Sequence, residues 1–165
     1  MNKQEKSLAM TVLMTPDMAN FSGNVHGGAL LKLLDQVAYA CAAKYCKSYV
    51  VTASLDHVFF KQMIKVGELV TFNAHVNYVG RSSMEIGVKV VAENLMTEEK
   101  RHTNSCYFTM VAVDEQGKPK QIPKLQIENE VEKRLFEAAE MRKKMRQEFM
   151  EKSRALHVDL PKDEL

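Results

Sequence analysis

The segment Asn24-Val25-His26-Gly27-Gly28-Ala29-Leu30-Leu31 sets two glycines where an apolar run begins. Glycine lets a ligand approach the backbone closely. If a helix starts there, its first N–H groups have no partner inside the helix. With the helix dipole, those donors suit an anion or an oxyanion that develops during reaction. The same glycines equally fit a tight turn into a helix and nothing more. Asp35 is the second anomaly, because it falls about two turns into the run, beside Leu31, Leu34 and Ala38. That is too deep for a capping role. A carboxylate on a largely apolar helix needs a partner, a wet edge or a task. Desolvation in such a place suits a general base, while an ion pair or a half-exposed aspartate accounts for it as well.

Geometry links the two features. Gly27 and Asp35 are eight residues apart, roughly 12 Å along a helix. Catalytic contacts need about 3 Å, so one carbonyl cannot touch both. If both act on one substrate, they come from different copies of the chain. A two-fold dimer with antiparallel neighbouring helices would bring Gly27 of one subunit near Asp35 of the other.

Two further clusters carry polar chemistry. The run Thr52-Ala53-Ser54-Leu55-Asp56-His57-Val58-Phe59-Phe60-Lys61 reads as a strand with many polar side chains, which also fits a solvent-facing edge. Gly80-Arg81-Ser82-Ser83-Met84 is a turn with a cation and two hydroxyls, a fair phosphate contact. Ser82 and Ser83 are poor candidate nucleophiles, since no Gly-x-Ser-x-Gly elbow is present. His26, His57, His75 and His102 lack ligand spacing such as His-x-x-x-His, so no metal is expected. Cys41, Cys46 and Cys106 are an odd count without metal-like spacing and read as free, mostly buried thiols of a reducing, cytoplasmic compartment.

The elements that must position these residues follow from periodicity. Residues 7–14 read as a strand ended by Pro16, and residues 17–28 as a loop rich in turn formers. From about Gly28, Leu30, Leu31, Leu34, Ala38, Cys41, Ala42 and Tyr45 recur at helical spacing up to about Cys46. Residues 49–60, 69–79, 83–92 and 102–113 read as strands, the second and third by strict alternation. Residues 127–154 are helix formers dense in Glu, Lys and Arg; Val131, Leu135, Ala138, Met145 and Phe149 fall near a heptad spacing that Arg142 interrupts. The cluster Arg142, Lys143, Lys144 and Arg146 reads as a solvated face near a helix C-terminus, or as an attractor of phosphates. Short turns between strands imply antiparallel pairing, and one buried helix against one such sheet makes an α+β domain. The division expected is a domain over 1–123 and a charged C-terminal helix and tail over 124–165. A single sheet covers only part of a five-turn helix, which again favours a dimer.

Composition bounds the rest. The 165 residues are 45% hydrophobic and 27% charged, ordinary for a soluble globular chain. A net charge of +2 does not suggest a nucleic-acid binder. No stretch reaches the ~18 apolar residues of a membrane span, and no secretory signal is visible at Met1 to Lys6. The ending Lys162-Asp163-Glu164-Leu165 spells an endoplasmic-reticulum retention address, read here as a coincidence of common residues because it lacks an export signal.

Taken together, the motifs resemble hotdog-fold acyl-CoA thioesterases of the cytosolic acyl-CoA hydrolase branch, from about Met10 to Pro123. The likeness rests on Asn24, Gly27, Gly28, Leu34 and Asp35; on Val51 to Asp56 with Phe59 to Lys61; on Val79 to Met84; and on Val111 to Pro119 with Ile122 and Pro123. It implies a curved antiparallel sheet wrapped around one long central helix, in a homodimer at minimum and often a trimer of dimers. It implies hydrolysis of acyl-CoA, in fatty acid metabolism, at sites on the dimer interface. The residue matching Asp35 would act as base or nucleophile, the one matching Asn24 would position water or the thioester, and the Gly27 and Gly28 amides would receive the carbonyl oxygen. Arg81, Ser82 and Ser83, with Thr52 and Lys61, would contact the CoA moiety. No cofactor is implied, since coenzyme A leaves as product. Two other readings stay open: an enoyl-acyl dehydratase of the same fold, for which His26 is a candidate, and a non-catalytic acyl-CoA-binding module.

Overall fold

The structure, a computed structural model, describes residues 3–158. The terminal Lys162 to Leu165 lies outside the described residues. The chain divides into two compact units, one running to Gln126 and the other starting at Ile127. Residues 124–126 stay with the first unit because Gln4 holds them: its Nε2 donates to the Lys124 carbonyl and its Oε1 accepts from the Gln126 N–H, each at 2.9 Å.

The first unit holds five strands and one long helix. They are β1 (Ser7–Leu13), α1 (Gly27–Cys46), β2 (Tyr49–Leu55), β3 (Leu69–Val79), β4 (Ser83–Glu93) and β5 (Lys100–Val113), with a short 3-10 turn at Pro16–Met18. The strands form one sheet in the order β1-β3-β4-β5-β2, every pair antiparallel. Helix α1 packs against all five strands. Its buried residues, among them Leu34, Val37, Ala38 and Ala42, recur at three and four, and they meet Phe72, Ile86 and Phe108 from the sheet. Each large apolar side chain fully buried in this way stabilises the fold by about 1.5–3 kcal/mol. Inward and outward residues alternate along β3 from Val70 to Val76 as their sequence pattern predicts.

Three irregularities bend the sheet around the helix. The register slips between Val76 and Tyr78 on β3, between Val90 and Val91 against β5, and between Thr52 and Ser54 on β2. Each inserts an extra residue and sharpens the local twist. On β3 the extra residue is Asn77, which is buried and donates from Nδ2 to Glu85 at 3.2 Å. That contact explains Gly87, where an added Cβ would lie 2.5 Å from Asn77 Nδ2.

Two boundaries differ from the sequence reading. Residues 49–60 were expected to be one strand, yet β2 ends at Leu55, and residues 56–68 leave the sheet. The chain must turn back to α1 there, because Ile64 accepts from the Val25 N–H at 2.8 Å. Helix α1 starts at Gly27, with His26 as its N-cap, so both glycines belong to its first turn.

The second unit is the helix α2 (Glu130–Ala155). Asn129 caps it, accepting from the Glu132 N–H at 2.9 Å. Glu130 and Glu132 in the first turn and Lys152 and Arg154 in the last complement the helix dipole. Of the expected apolar stripe, Leu135 and Ala138 are half-buried, while Val131, Met145 and Phe149 are exposed.

Candidate active site

The approach to α1 is fixed by backbone bonds before any side chain is considered. Asn20 N–H donates to the Asn24 carbonyl at 2.7 Å, and His26 N–H donates to the Met18 carbonyl at 2.7 Å. Asn24 also faces Lys65 in an antiparallel bridge. The Asn24 side chain spends one donor weakly, on Met63 Sδ at 3.3 Å, and no described residue bonds to its Oδ1. At Gly28 the N–H donates to His26 Nδ1 at 2.9 Å. No described residue accepts from the Gly27 N–H. Of the two amides expected to receive a carbonyl oxygen, the first therefore stays open while the second is capped by the histidine ring. Histidine is not a common capping residue, which is why its role here was not legible from type alone.

An apolar wall stands over this cradle. A Cβ added to Gly27 would lie 3.6 Å from Cζ of Phe60, so that ring covers the glycine. Phe59, Phe60 and Met63 are all largely exposed. Phe59 and Phe60 fall within the strand expected over 49–60, and their placement beside the cradle follows from the early end of β2.

Asp35 sits on the exposed side of α1, two turns beyond the cradle. Thr52 Oγ1 donates to Asp35 Oδ1 at 2.6 Å. Thr52, a residue expected among the CoA contacts, thus has its hydroxyl on the carboxylate. The bulge on β2 follows Thr52 immediately, a common device for re-aiming a side chain. The burial that would desolvate Asp35 is not supplied within one chain. An open cleft of about 480 Å³ lies further along, between Tyr39, Lys47, Tyr49 and Lys120, and includes neither Asp35 nor Gly27.

The remaining expected residues are elsewhere. Arg81, Ser82 and Ser83 form the turn between β3 and β4, where the Arg81 and Ser82 carbonyls accept from Ile122 and Ala112. That turn follows Val79, whereas the cradle lies beside Leu69, at the other end of β3. The ten-residue rise between them spans roughly 34 Å. Lys61 is exposed in the segment after β2. One chain thus unites Asp35 with Thr52, and Asn24 with Gly27 and Gly28, keeps these two groups apart from each other, and keeps the cradle apart from the Arg81 turn.

Behind the cradle is a pair that the sequence did not suggest. Arg101 grips the buried Glu68 with two bonds, Nη1 to Oε1 at 2.6 Å and Nη2 to Oε2 at 3.0 Å. The Arg101 guanidinium holds the Glu68 carboxyl below its ordinary value, helped by the Lys65 N–H. The three cysteines are free and buried. Desolvation pushes the Cys41 and Cys106 thiols up to about 12, which leaves them protonated and poor nucleophiles. Among the described residues, no three His, Cys, Asp or Glu side chains gather as a metal site would require, and no helix is long and apolar enough to cross a membrane.

Comparison with known proteins places this geometry. The profile of the thioesterase superfamily matches residues 22–99, which include Asn24, Gly27, Asp35 and Thr52. Protein VdlD of Helicobacter pylori is 54% identical over 139 residues, covering 84% of this chain and 79% of that protein. A hexameric acyl-CoA thioesterase, solved in its apo form, superposes with a TM-score of 0.85 at 40% identity, covering 88% of this chain and 94% of its own. An acyl-CoA hydrolase from Staphylococcus aureus, solved with butyryl-CoA, CoA and CoA disulfide, superposes with a TM-score of 0.83 at 32% identity, over 92% of this chain and 93% of its own. That hydrolase was also solved as variants in which an asparagine, an aspartate and a threonine were each replaced by alanine.

Proposed function

This chain belongs to the thioesterase superfamily, and on that premise we propose that Asp35, Asn24 and Gly27 carry its hydrolysis of acyl-CoA, at a site made by two copies of the chain. It is a hotdog-fold acyl-CoA thioester hydrolase, releasing a free carboxylic acid and coenzyme A. The observation that carries the site assignment is the Asp35 carboxylate, on the exposed side of the central helix and oriented by Thr52. The residue types of Asn24, Asp35 and Thr52 were the ones replaced in the Staphylococcus aureus hydrolase.

In this reading Asp35 takes a proton from water, and the water oxygen attacks the thioester carbonyl carbon. The carbonyl π electrons move to oxygen, and the oxyanion is met by the Gly27 N–H of the other chain. Preorganised donors of this kind are worth about 10²–10³ in rate. Asn24 steers the water or the carbonyl with its amide. Collapse breaks the C–S bond, and the CoA thiolate takes the proton back from Asp35. The Gly28 N–H joins the cradle only when the His26 ring turns away from it.

The two-chain site follows from the helix. Gly27 and Asp35 are held eight residues apart on α1, and the Arg81 turn is further still from the cradle. A twin chain supplies what each half lacks, and the hexameric relative supports a trimer of dimers. Arg81, Ser82, Ser83 and Lys61 are then CoA contacts, so Arg81→Ala mainly raises KM. Base-assisted hydrolysis of this kind needs no metal or redox group, and the three free thiols support a cytoplasmic enzyme. No contact in the structure favours a dehydratase, since the His26 ring caps a helix.

The deciding experiment mixes two impaired variants and reads the gain above their separate residual activities. Asn24→Ala and Asp35→Ala chains, refolded or co-expressed together, regain about a quarter of native thiol release from a saturated acyl-CoA, since half the dimers are mixed and each holds one intact site. No recovery in verified mixed dimers overturns the two-chain site. A native enzyme that releases no thiol from a panel of acyl-CoAs overturns the assignment of activity.

A further inference from the structure

We infer that Glu68 and Arg101 are positioning residues for the thioester cradle, acting through the segment that carries Met63, Ile64 and Lys65. This inference rests on the reading of Asn24 and Gly27 given above.

The connection is continuous and short. Arg101 Nη2 donates to the Met63 carbonyl at 3.2 Å while it also bonds Glu68. Glu68 Oε2 accepts from the Lys65 N–H at 2.8 Å, and the Glu68 N–H donates to the Lys65 carbonyl at 3.1 Å. One carboxylate and one guanidinium therefore fix both ends of the stretch from Met63 to Lys65. That stretch is what holds the cradle: Ile64 accepts from the Val25 N–H at 2.8 Å, Lys65 bridges Asn24, and Met63 Sδ receives the Asn24 amide. Glu68 is anchored in turn, since its carbonyl accepts from the Met14 N–H at 3.0 Å.

Segment 56–68 has no regular secondary structure to hold it otherwise. A loop that carries exposed aromatic side chains and only isolated bridge bonds needs a fixed point to present Asn24 at one angle. A bidentate guanidinium–carboxylate pair supplies it, because two parallel bonds fix orientation as well as distance. Displacements of about 1 Å from the productive geometry can cost on the order of a hundredfold in rate. Neither residue touches the cradle itself, so their effect on turnover passes through Asn24.

The test is a double-mutant cycle on the full-length enzyme. Arg101→Met should lower kcat about tenfold with KM little changed, and should cost less than about twofold when Asn24 is already alanine. Arg101→Lys, which keeps the charge, should recover part of the loss. Glu68→Gln serves as the second variant should Arg101→Met fold poorly. Hydrogen exchange at the Val25 amide should speed up in both. An equal loss in the native and Asn24→Ala backgrounds, or native exchange at Val25, overturns the inference. If the native enzyme cleaves no acyl-CoA, the activity assignment falls, while exchange at Val25 still decides whether the pair holds the cradle.

Discussion

The cradle at the start of α1 and the carboxylate two turns along it are built in different ways. Asn24 to Gly28 is held by backbone bonds to Met18, Asn20 and Ile64, by a cap from His26 and by the Glu68–Arg101 pair behind Lys65. Asp35 is held by one hydroxyl on an otherwise open face. The first region is finished within a single chain. The second is a base whose orientation is set but whose surroundings are not. On the proposed two-chain reading, the cradle is preformed and the surroundings of the carboxylate arrive with the partner.

The largest test of that contrast is Asp35→Ala. Turnover should fall by at least about a hundredfold, the scale of acid–base groups, while the thermal midpoint and oligomeric state stay as they are, because the side chain is exposed. Near-native turnover in a thiol-release assay would remove Asp35 from the chemistry. Thr52→Val keeps the shape and removes the hydroxyl's bond to the carboxylate. A hydrogen bond to a charged group is worth about 1.5–3 kcal/mol, so kcat should fall about tenfold or more with KM unchanged. A change confined to KM would return Thr52 to the CoA contacts.

Gly28→Ala probes the finished half. The new Cβ would sit 3.1 Å from His26 Nδ1, so the ring must shift and the cap weakens. Loss of a cap costs about 1 kcal/mol, and kcat should fall only a few-fold, read by melting and turnover together. The last test concerns stability at Glu68, where the contribution is full at neutral pH and shrinks in acid. Its carboxyl is held below its ordinary value of 4.5, chiefly by Arg101. A depressed native value means stability that is present above the ordinary value and drains away as pH falls through the native one. Melting scans from about pH 6 to about pH 3 should therefore slope less steeply in Glu68→Gln than in the native protein.

Much of this was legible in the residues, and the reasons differ by region. Alternation from Val70 to Val76 located β3 because a strand's faces repeat every second residue. Asp35 stood out because a charge on an apolar helix is rare. Phe59 and Phe60 misled, since β-favouring side chains cannot report whether a partner strand continues beyond Leu55. Thr52 looked like one polar strand residue among several; its partner lies 17 residues back, and the bulge that aims it has no sequence signature. Glu68 and Arg101, 33 residues apart, were ordinary charges until the fold brought them together.

The rigidity of α1 has a last consequence. A hydrogen-bonded rod of 20 residues cannot shorten, so no internal motion lets one polypeptide close the gap between its amide donor and its own carboxylate. Newly synthesised chains would be inert until they meet a twin. In dilute solution, specific activity should fall in proportion to protein concentration rather than hold constant, and a cell could silence the enzyme simply by keeping it scarce.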